Sequence, residues 1–193
     1  MVDAHQPKSM ALIFDCFGVL AENGWGLIDD QLQPTDEQWA EMSAMSHACD
    51  KGIISIADLY TGFADVLQVT PSKIAEIVTS QRKNYPLLKA IAKLKETHKI
   101  AMLSNVGMGF IQDFFTAEEL ELFDALILSA EEGMAKPEPR IYHLAAKRLG
   151  VSPEDCLFID DAVQNVRAAE EVGIQTHLYK DLAGLQTVIA SQF

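Results

Sequence analysis

The chain has 193 residues, of which 49% are hydrophobic, and a formal net charge of -13 at pH 7, so it can bury a sizeable core and is neither disordered nor fibrous. The negative charge and the lack of a basic stripe argue against nucleic-acid binding, and without a leader segment or an apolar run near the ~20 residues of a bilayer span we expect no membrane association. Three widely spaced cysteines form neither a disulfide framework nor a zinc-binding pattern, so we expect reduced thiols in a cytoplasmic protein.

The first predicted strand covers residues 10–15 and ends on a carboxylate. Its run from Leu12 to Phe14 is apolar without alternation, which is typical of a parallel strand buried on both faces. Asp15 follows this run and precedes a turn at Gly18. In open parallel sheets, ligands bind beyond the carboxyl ends of the strands. We therefore expect Asp15 to lie at the mouth of a ligand site.

Residues 22–84 predict an inserted helical unit without strands. Three helix starts are marked by capping residues or an N-terminal proline: Thr35 with Gln38, Ser55 with Asp58, and Thr70 with Pro71. Apolar residues then recur at helical spacing. We expect a helical cap domain over residues 22–84 and a core domain formed by residues 1–21 and 85–193.

The remainder of the chain alternates helices with strands. Pro86 and Pro139 stand at first helical positions, and Gly150 ends the second of these helices. Further strands are predicted over residues 99–104, 124–129, 156–160 and 175–179. With the first strand, this alternation predicts an α/β fold with a doubly wound parallel sheet.

Polar residues gather where these strands are expected to end. They are Ser104 and Asn105 at the end of the second strand, Lys136 in a Lys-Pro motif, and Asp160 and Asp161 at the end of the fourth strand, with Asn165 on the next helix. A hydroxyl with nearby backbone N–H groups could hold phosphoryl oxygens. An ammonium group could neutralise a nucleophile and a transferring group. Each feature alone is ordinary, but together with Asp15 they indicate one site.

The adjacent acids Asp160 and Asp161 predict a bound cation. Like charges held close together in a dry site resist joint ionisation, so they need neutralisation. Mg2+ favours oxygen ligands and usually binds one or two carboxylates, waters and a substrate phosphate. The sequence therefore predicts a magnesium site near Asp15.

These motif regions resemble those of the haloacid dehalogenase superfamily in order and position, over about the whole chain, including a cap inserted after the first motif. The resemblance implies that Asp15 attacks phosphorus and forms an aspartyl-phosphate. It assigns Ser104, Asn105 and Lys136 to the phosphoryl group, with Lys136 also catalytic. It implies Mg2+ bound by Asp15, the backbone carbonyl of Phe17, Asp160 and Asp161. The implied activity is a phosphatase of small phosphomonoesters. Among the members of the superfamily, the chain most resembles the metal-dependent sugar-phosphate phosphatases with a helical cap, which makes sugar phosphates the first candidate substrates.

Phe17 departs from the pattern of that superfamily's phosphatases, in which a second aspartate protonates the leaving group and activates water. Such acid-base help contributes ~100-fold to 10,000-fold. Three interpretations stay open: a phosphatase with another acid, a metal-independent 2-haloacid dehalogenase, and a weakly active or non-catalytic binding protein.

The dehalogenase interpretation draws on Phe17, because an aromatic residue is common at this position in that branch. Its fourth motif, however, resembles Ser-Ser-Asn rather than the pair Asp160 and Asp161, which favours metal and phosphate. The presence of Lys136 and of both acids argues against a site that has lost its catalytic activity. Glu22, just beyond the glycine turn, is a candidate for the missing acid, and an ordinary solvated glutamate in a linker is equally consistent.

Overall fold

A computed structural model describes residues 11–192 of the chain. Its five strands form one parallel sheet in the order β3-β2-β1-β4-β5. The strands are β1 (Ala11–Phe14), β2 (Lys99–Ser104), β3 (Ala125–Leu128), β4 (Cys156–Asp160) and β5 (Gln175–Leu178). The predicted doubly wound parallel sheet is confirmed, with strand ends that differ from the prediction by about one residue; residue 10 lies outside the described residues.

Helices connect the strands and cover both faces of the sheet. Those between β1 and β2 are α1 (Gly24–Leu32), α2 (Asp36–Asp50), α3 (Ile56–Leu67), α4 (Pro71–Thr79) and α5 (Tyr85–Leu94). Those that follow are α6 (Phe110–Phe114), α7 (Ala117–Leu120), α8 (Ser129–Glu132), α9 (Pro139–Leu149), α10 (Val163–Glu171) and α11 (Leu182–Gln192), with a short 3-10 helix at Pro153–Asp155. Within the described part of the chain, no helix is both long enough and apolar enough to span a membrane.

The continuous apolar run of β1 follows from its central place in the sheet. Successive side chains of a strand point to opposite faces, so Leu12 and Phe14 pack with Ile91 of α5 in one apolar cluster. Ile13 packs with Ile141 of α9 in the cluster on the other face. Since helices cover both faces, a polar residue is not tolerated until the strand ends at Asp15.

Helices α1 to α4 pack around an apolar cluster of their own. The predicted starts of α2 and α3 are confirmed, because both capping boxes are formed. Thr70 caps α4 as predicted, with Pro71 in its first turn. The separate cluster supports our proposal that residues 22–84 are a cap domain.

The chain enters and leaves this helical unit through two paired connectors. Glu22 N donates to Arg82 O over 2.9 Å, and Asn84 N donates to Leu20 O over 2.8 Å. The pairing brings the start and the end of the insertion together beside the carboxyl edge of the sheet. It thereby positions the four helices over the end of β1.

Candidate active site

Three charged side chains meet beyond the carboxyl ends of β1 and β4. Lys136 Nζ lies 2.6 Å from Asp15 Oδ1 and 2.7 Å from Asp160 Oδ2. The exposed fractions of these side chains are 2% for Lys136, 9% for Asp15 and 0% for Asp160. The structure thus brings together three predicted site residues that are far apart in the sequence.

Backbone and amide groups hold the two carboxylates in place. Asp15 Oδ1 accepts a 2.6 Å hydrogen bond from Cys16 N. Asp160 accepts from Ala162 N over 2.8 Å, and both of its oxygens accept from Asn165 Nδ2 over 3.1 Å. Each carboxylate is therefore oriented by local contacts at the end of its own strand, which explains why Asn165 is buried at the start of α10.

Asn105 positions Lys136 through two hydrogen bonds to its backbone. Asn105 Nδ2 donates to Lys136 O over 2.8 Å, and Asn105 Oδ1 accepts from Lys136 N over 2.8 Å. The peptide bond between Lys136 and Pro137 is cis. The resemblance assigns Asn105 to the phosphoryl group; in the structure its amide also fixes the loop that carries the lysine.

Ser104 ends β2 with its side chain fully buried. It faces the thiol of Cys16, but its Oγ has no hydrogen bond of ordinary geometry within residues 11–192. A buried hydroxyl without a partner is costly. The strand end therefore places a buried hydroxyl beside Cys16, the residue that follows Asp15.

Burial and mutual repulsion perturb the acids of this cluster. Burial raises the pKa of Asp15 to about 7; Lys136 opposes this effect, and Asp160 adds to it. Burial also raises the pKa of Asp161, with a further contribution from Asp160. For Lys136, burial is the largest effect and lowers the pKa, but Asp15 and Asp160 together outweigh it, so the net pKa is raised. The lysine thus stays charged.

The acids of the cluster fit a magnesium ion. Asp15, Asp160 and Asp161 each offer a carboxylate oxygen, and these oxygens all lie within 4.8 Å of one another. Three carboxylates against one ammonium leave an excess of negative charge, and hard oxygen ligands suit Mg2+. Phe17, the fourth predicted metal residue, lines the cavity beside this cluster.

Gly18 makes room for Asp161. Its φ is +90°, and a Cβ at this position would collide with the Asp161 carboxylate. A glycine is needed here for two reasons, the left-handed backbone and the close approach of an acid. The turn after Asp15 therefore helps to assemble the acidic cluster.

A cavity of about 280 Å³ lies between the cluster and the cap helices. From the core it is lined by Asp15, Lys136 and Asp161, and from the cap it is lined by Asp50 of α2 and by Gln81. Neither cap residue was predicted from sequence. An acid in the last turn of a helix, where the helix dipole disfavours negative charge, is a signal that could have found Asp50; nothing in the sequence pattern marks Gln81.

Asp50 and Glu22 differ sharply in their surroundings. Burial raises the pKa of Asp50 to about 6, although His47 and Lys136 both lower it. Glu22 instead pairs with Arg82, with Oε1 2.6 Å from Nη2, and this contact lowers its pKa. Its carboxylate stands in the connector between core and cap and does not line the cavity. The structure therefore gives Glu22 a structural contact instead of a place beside Asp15.

Comparisons with known proteins agree with this arrangement. A family model described as a haloacid dehalogenase-like hydrolase matches residues 10–173. The chain is 29% identical over 184 residues to the sesquiterpene phosphatase astK of Aspergillus oryzae, covering 90% of this chain and 91% of that protein. Several other curated relatives are longer, and the chain spans between 10% and 44% of their length.

Two solved structures illustrate the similarity in fold. One is an enzyme of the same family from Bacteroides thetaiotaomicron in complex with magnesium and inorganic phosphate; it matches with a TM-score of 0.71 and 25% identity over 92% of this chain and 98% of that one. The other is the L-2-haloacid dehalogenase of Xanthobacter autotrophicus with chloropropionic acid covalently bound, with a TM-score of 0.66 and 20% identity over 95% and 83%. This second likeness concerns the fold alone.

Proposed function

The chain belongs to the haloacid dehalogenase-like hydrolases, and from this premise we propose that it is a Mg2+-dependent phosphatase of small phosphomonoesters. The observation that carries the proposal is the cluster of Asp15, Asp160 and Asp161 around Lys136. Three acids against one lysine suit a site that receives a cation and a phosphate. The names of the two relatives, a phosphatase and an enzyme bound to magnesium and phosphate, support the same activity.

In the proposed reaction, Asp15 is the nucleophile. Its carboxylate oxygen forms a bond to phosphorus while the bond from phosphorus to the substrate alcohol breaks, which yields an aspartyl-phosphate. Lys136, 2.6 Å from Asp15, orients this carboxylate and lowers its pKa against the effect of burial, and with Ser104 and Asn105 it holds the phosphoryl group. When bound by Asp15, the Phe17 carbonyl, Asp160 and Asp161, Mg2+ supplies positive charge that offsets the phosphoryl oxygens.

We assign the missing acid to Asp50. The departing alkoxide needs a proton that Phe17 cannot give, and Asp50 lines the same cavity as Asp15 and Lys136, close enough to Lys136 for the lysine charge to lower its pKa. With its pKa raised to about 6 by burial, Asp50 can exist in both forms near neutral pH, as a general acid-base group requires. Protonated Asp50 donates to the leaving oxygen; the resulting carboxylate then takes a proton from the water that hydrolyses the aspartyl-phosphate and releases Asp15.

A metal-independent dehalogenase is the second candidate. Phe17 favours it, because a departing halide needs no proton. Asp161 argues against it, since a third carboxylate without a cation only adds repulsion near Asp15. Halide release from 2-haloacids in the presence of a chelator would favour this alternative.

Phosphate release measures the proposed activity directly. We expect the purified protein to release phosphate from an aryl phosphate with Mg2+ and to stop when a chelator is added. Asp15→Asn should abolish release, whereas Asp30→Asn, at an exposed aspartate of α1, should leave it unchanged. Activity that survives in Asp15→Asn, or that ignores the chelator, would contradict the proposal.

We also propose a cytoplasmic location. Cys16, Cys49 and Cys156 are all free and buried, and reduced cysteines are typical of that compartment.

A further inference from the structure

The wall of the cavity that the cap provides is largely apolar. Trp25 and Ile28 of α1, Leu59 and Phe63 of α3, and Val78 of α4 all line it. Trp25 and Phe63 are in ring contact, with their centroids 5.5 Å apart. A ligand that reaches Asp15 therefore places much of its non-phosphate part against apolar side chains.

The core side of the cavity continues this apolar surface. Phe17 and Phe110 both line it, and their rings meet edge to face with centroids 5.7 Å apart. Phe17 thus stands where a second carboxylate stands in related phosphatases and presents an aromatic ring. The same residue that removes a proton donor also makes the cavity more apolar.

Besides Gln81, four polar side chains of the cap line the cavity: Asn23, Ser46, Asp50 and Tyr60. Asn23 Oδ1 already accepts from Trp25 N as a helix cap. Ser46 and Asp50 lie in the last turns of α2, where Asp50 interacts with Lys136, and Tyr60 presents one hydroxyl. A sugar with four or five hydroxyls would lose hydrogen bonds to water that this wall does not replace, and each buried polar group left unpaired is costly.

Gln81 adds a buried amide to the largely apolar wall. It lies between α4 and α5, is 8% exposed, and lines the cavity. Its Oε1 has no hydrogen-bond partner among residues 11–192. The amide lies so close to Gly24 that a Cβ there would collide with Nε2. A hydroxyl both donates and accepts, so it can pair with either end of this buried amide.

We infer that the substrate is the phosphomonoester of a mainly apolar, ring-sized alcohol that carries a hydroxyl placed to bond Gln81, and that sugar phosphates are poor substrates. The volume of about 280 Å³ lies just below the usual range of ligand cavities, about 300–1,000 Å³, which suits one or two rings. This inference rests on the proposed phosphatase activity and narrows its substrate.

A series of phosphate esters with the same ring size tests how the number of hydroxyl groups affects turnover. The compounds are cyclohexyl phosphate, the isomers of hydroxycyclohexyl phosphate, and inositol monophosphate. We expect the best monohydroxy isomer to exceed cyclohexyl phosphate in kcat/KM by about 5-fold, the fold-change that corresponds to the net contribution of one hydrogen bond. Inositol monophosphate should fall at least about 10-fold below cyclohexyl phosphate. Equal or better turnover of inositol monophosphate would overturn the inference.

Gln81→Leu tests whether the Gln81 amide forms a hydrogen bond with the substrate hydroxyl. In the variant, the ratio of kcat/KM for the monohydroxy isomer to kcat/KM for cyclohexyl phosphate should fall to about one. Gln31→Leu, at an exposed glutamine of α1, is the matched control and should change neither rate. Retention of the full hydroxyl preference in Gln81→Leu would contradict the assignment of Gln81.

A binding measurement separates this inference from the proposed reaction. The sequence has two tryptophans, so Trp39→Phe leaves Trp25, on the cavity wall, as the reporter. In Trp39→Phe with Asp15→Asn, we expect cyclohexanol and cyclohexanediols to change the Trp25 fluorescence at concentrations at least about 10-fold below inositol, in line with one or more unpaired hydroxyls. Absence of phosphate release from every ester refutes the phosphatase, whereas tighter binding of inositol refutes the apolar substrate.

Discussion

Lys136 neutralises two buried carboxylates, so Lys136→Met should destabilise the protein strongly. The lysine side chain is 2% exposed and lies 2.6 Å from Asp15 and 2.7 Å from Asp160. Removal of one partner of a buried ion pair costs about 3–5 kcal/mol, because it leaves a buried charge uncompensated. Here two carboxylates lose their cation at once, with Asp161 adjacent.

The loss is measured by urea and thermal unfolding at pH 7.5 in the presence of a chelator. At about 2–4 °C per kcal/mol for a chain of this size, we expect the melting temperature to fall by about 6–20 °C. The deficit should shrink toward pH 5, since protonation of Asp15, whose pKa burial raises to about 7, removes its repulsion with the neighbouring acids. Methionine keeps most of the apolar stem of lysine, so lost packing contributes little.

Lys95→Met is the matched control. Lys95 Nζ lies 3.0 Å from Asp124 Oδ1, but the two side chains are 33% and 41% exposed. Exposed pairs contribute about 0–1 kcal/mol, so the control should melt within a few degrees of the wild type. If Lys136→Met lost no more stability than Lys95→Met, the electrostatic account of the cluster would be wrong.

Further predictions concern the acid, the glycine turn and the metal. In single-turnover measurements, Asp50→Asn should slow release of alkyl alcohols about 100-fold or more but leave release of p-nitrophenol, a leaving group that needs no proton, nearly unaffected; equal slowing of both releases would remove Asp50 as the acid. Burial raises the pKa of Asp50 to about 6, so the folded protein binds this proton more tightly than the unfolded chain and the free energy of unfolding falls as pH rises from about 4 to about 6. Asp50→Asn removes that loss and should be more stable than the wild type by about 1–3 kcal/mol at pH 7 but not at pH 4, as urea titrations at the two pH values will show. Gly18→Ala should weaken Mg2+ binding measured by calorimetry, because the new Cβ displaces Asp161, whereas Gly109→Ala, with φ +82° and no atom within 4 Å of its Cβ, should carry only the backbone strain of about 1–2 kcal/mol. Mg2+ at about 100 times its Kd should stabilise the wild type against urea by about 2.7 kcal/mol and Asp161→Asn by clearly less; equal stabilisation would place the ion elsewhere.

Part of the fold and of the site could be predicted from the chain itself. The apolar run before Asp15 and the alternation of later strands and helices predict the sheet, because burial on both faces excludes polar residues until a strand ends. The same rule locates Asp15, Ser104 and Asp160 at strand ends, where the structure has them. Capping boxes likewise predict helix starts, since the contacts that form them lie three residues apart.

The cavity wall that the cap contributes could not be predicted from the sequence, because tertiary contacts position it. Asp50 reaches the site because the end of α2 docks on the core, where a Cβ at Gly52 would come within 2.8 Å of Ala130 O and Lys51 Nζ lies 2.9 Å from Glu138 Oε1. The two residues of each pair are more than 70 positions apart in the sequence, so no local sequence pattern predicts these contacts.

The sequence by itself determined the sheet, the order of its motifs and the acids and lysine at the strand ends, because burial and backbone geometry act on neighbouring residues. Only the tertiary structure decided that Asn105 positions Lys136, that Glu22 pairs with Arg82, and that the cap brings Asp50 and Gln81 to the cavity. The physical reason is that docking of one domain on another is governed by shape and charge complementarity between distant segments, which leaves no periodic trace in either segment.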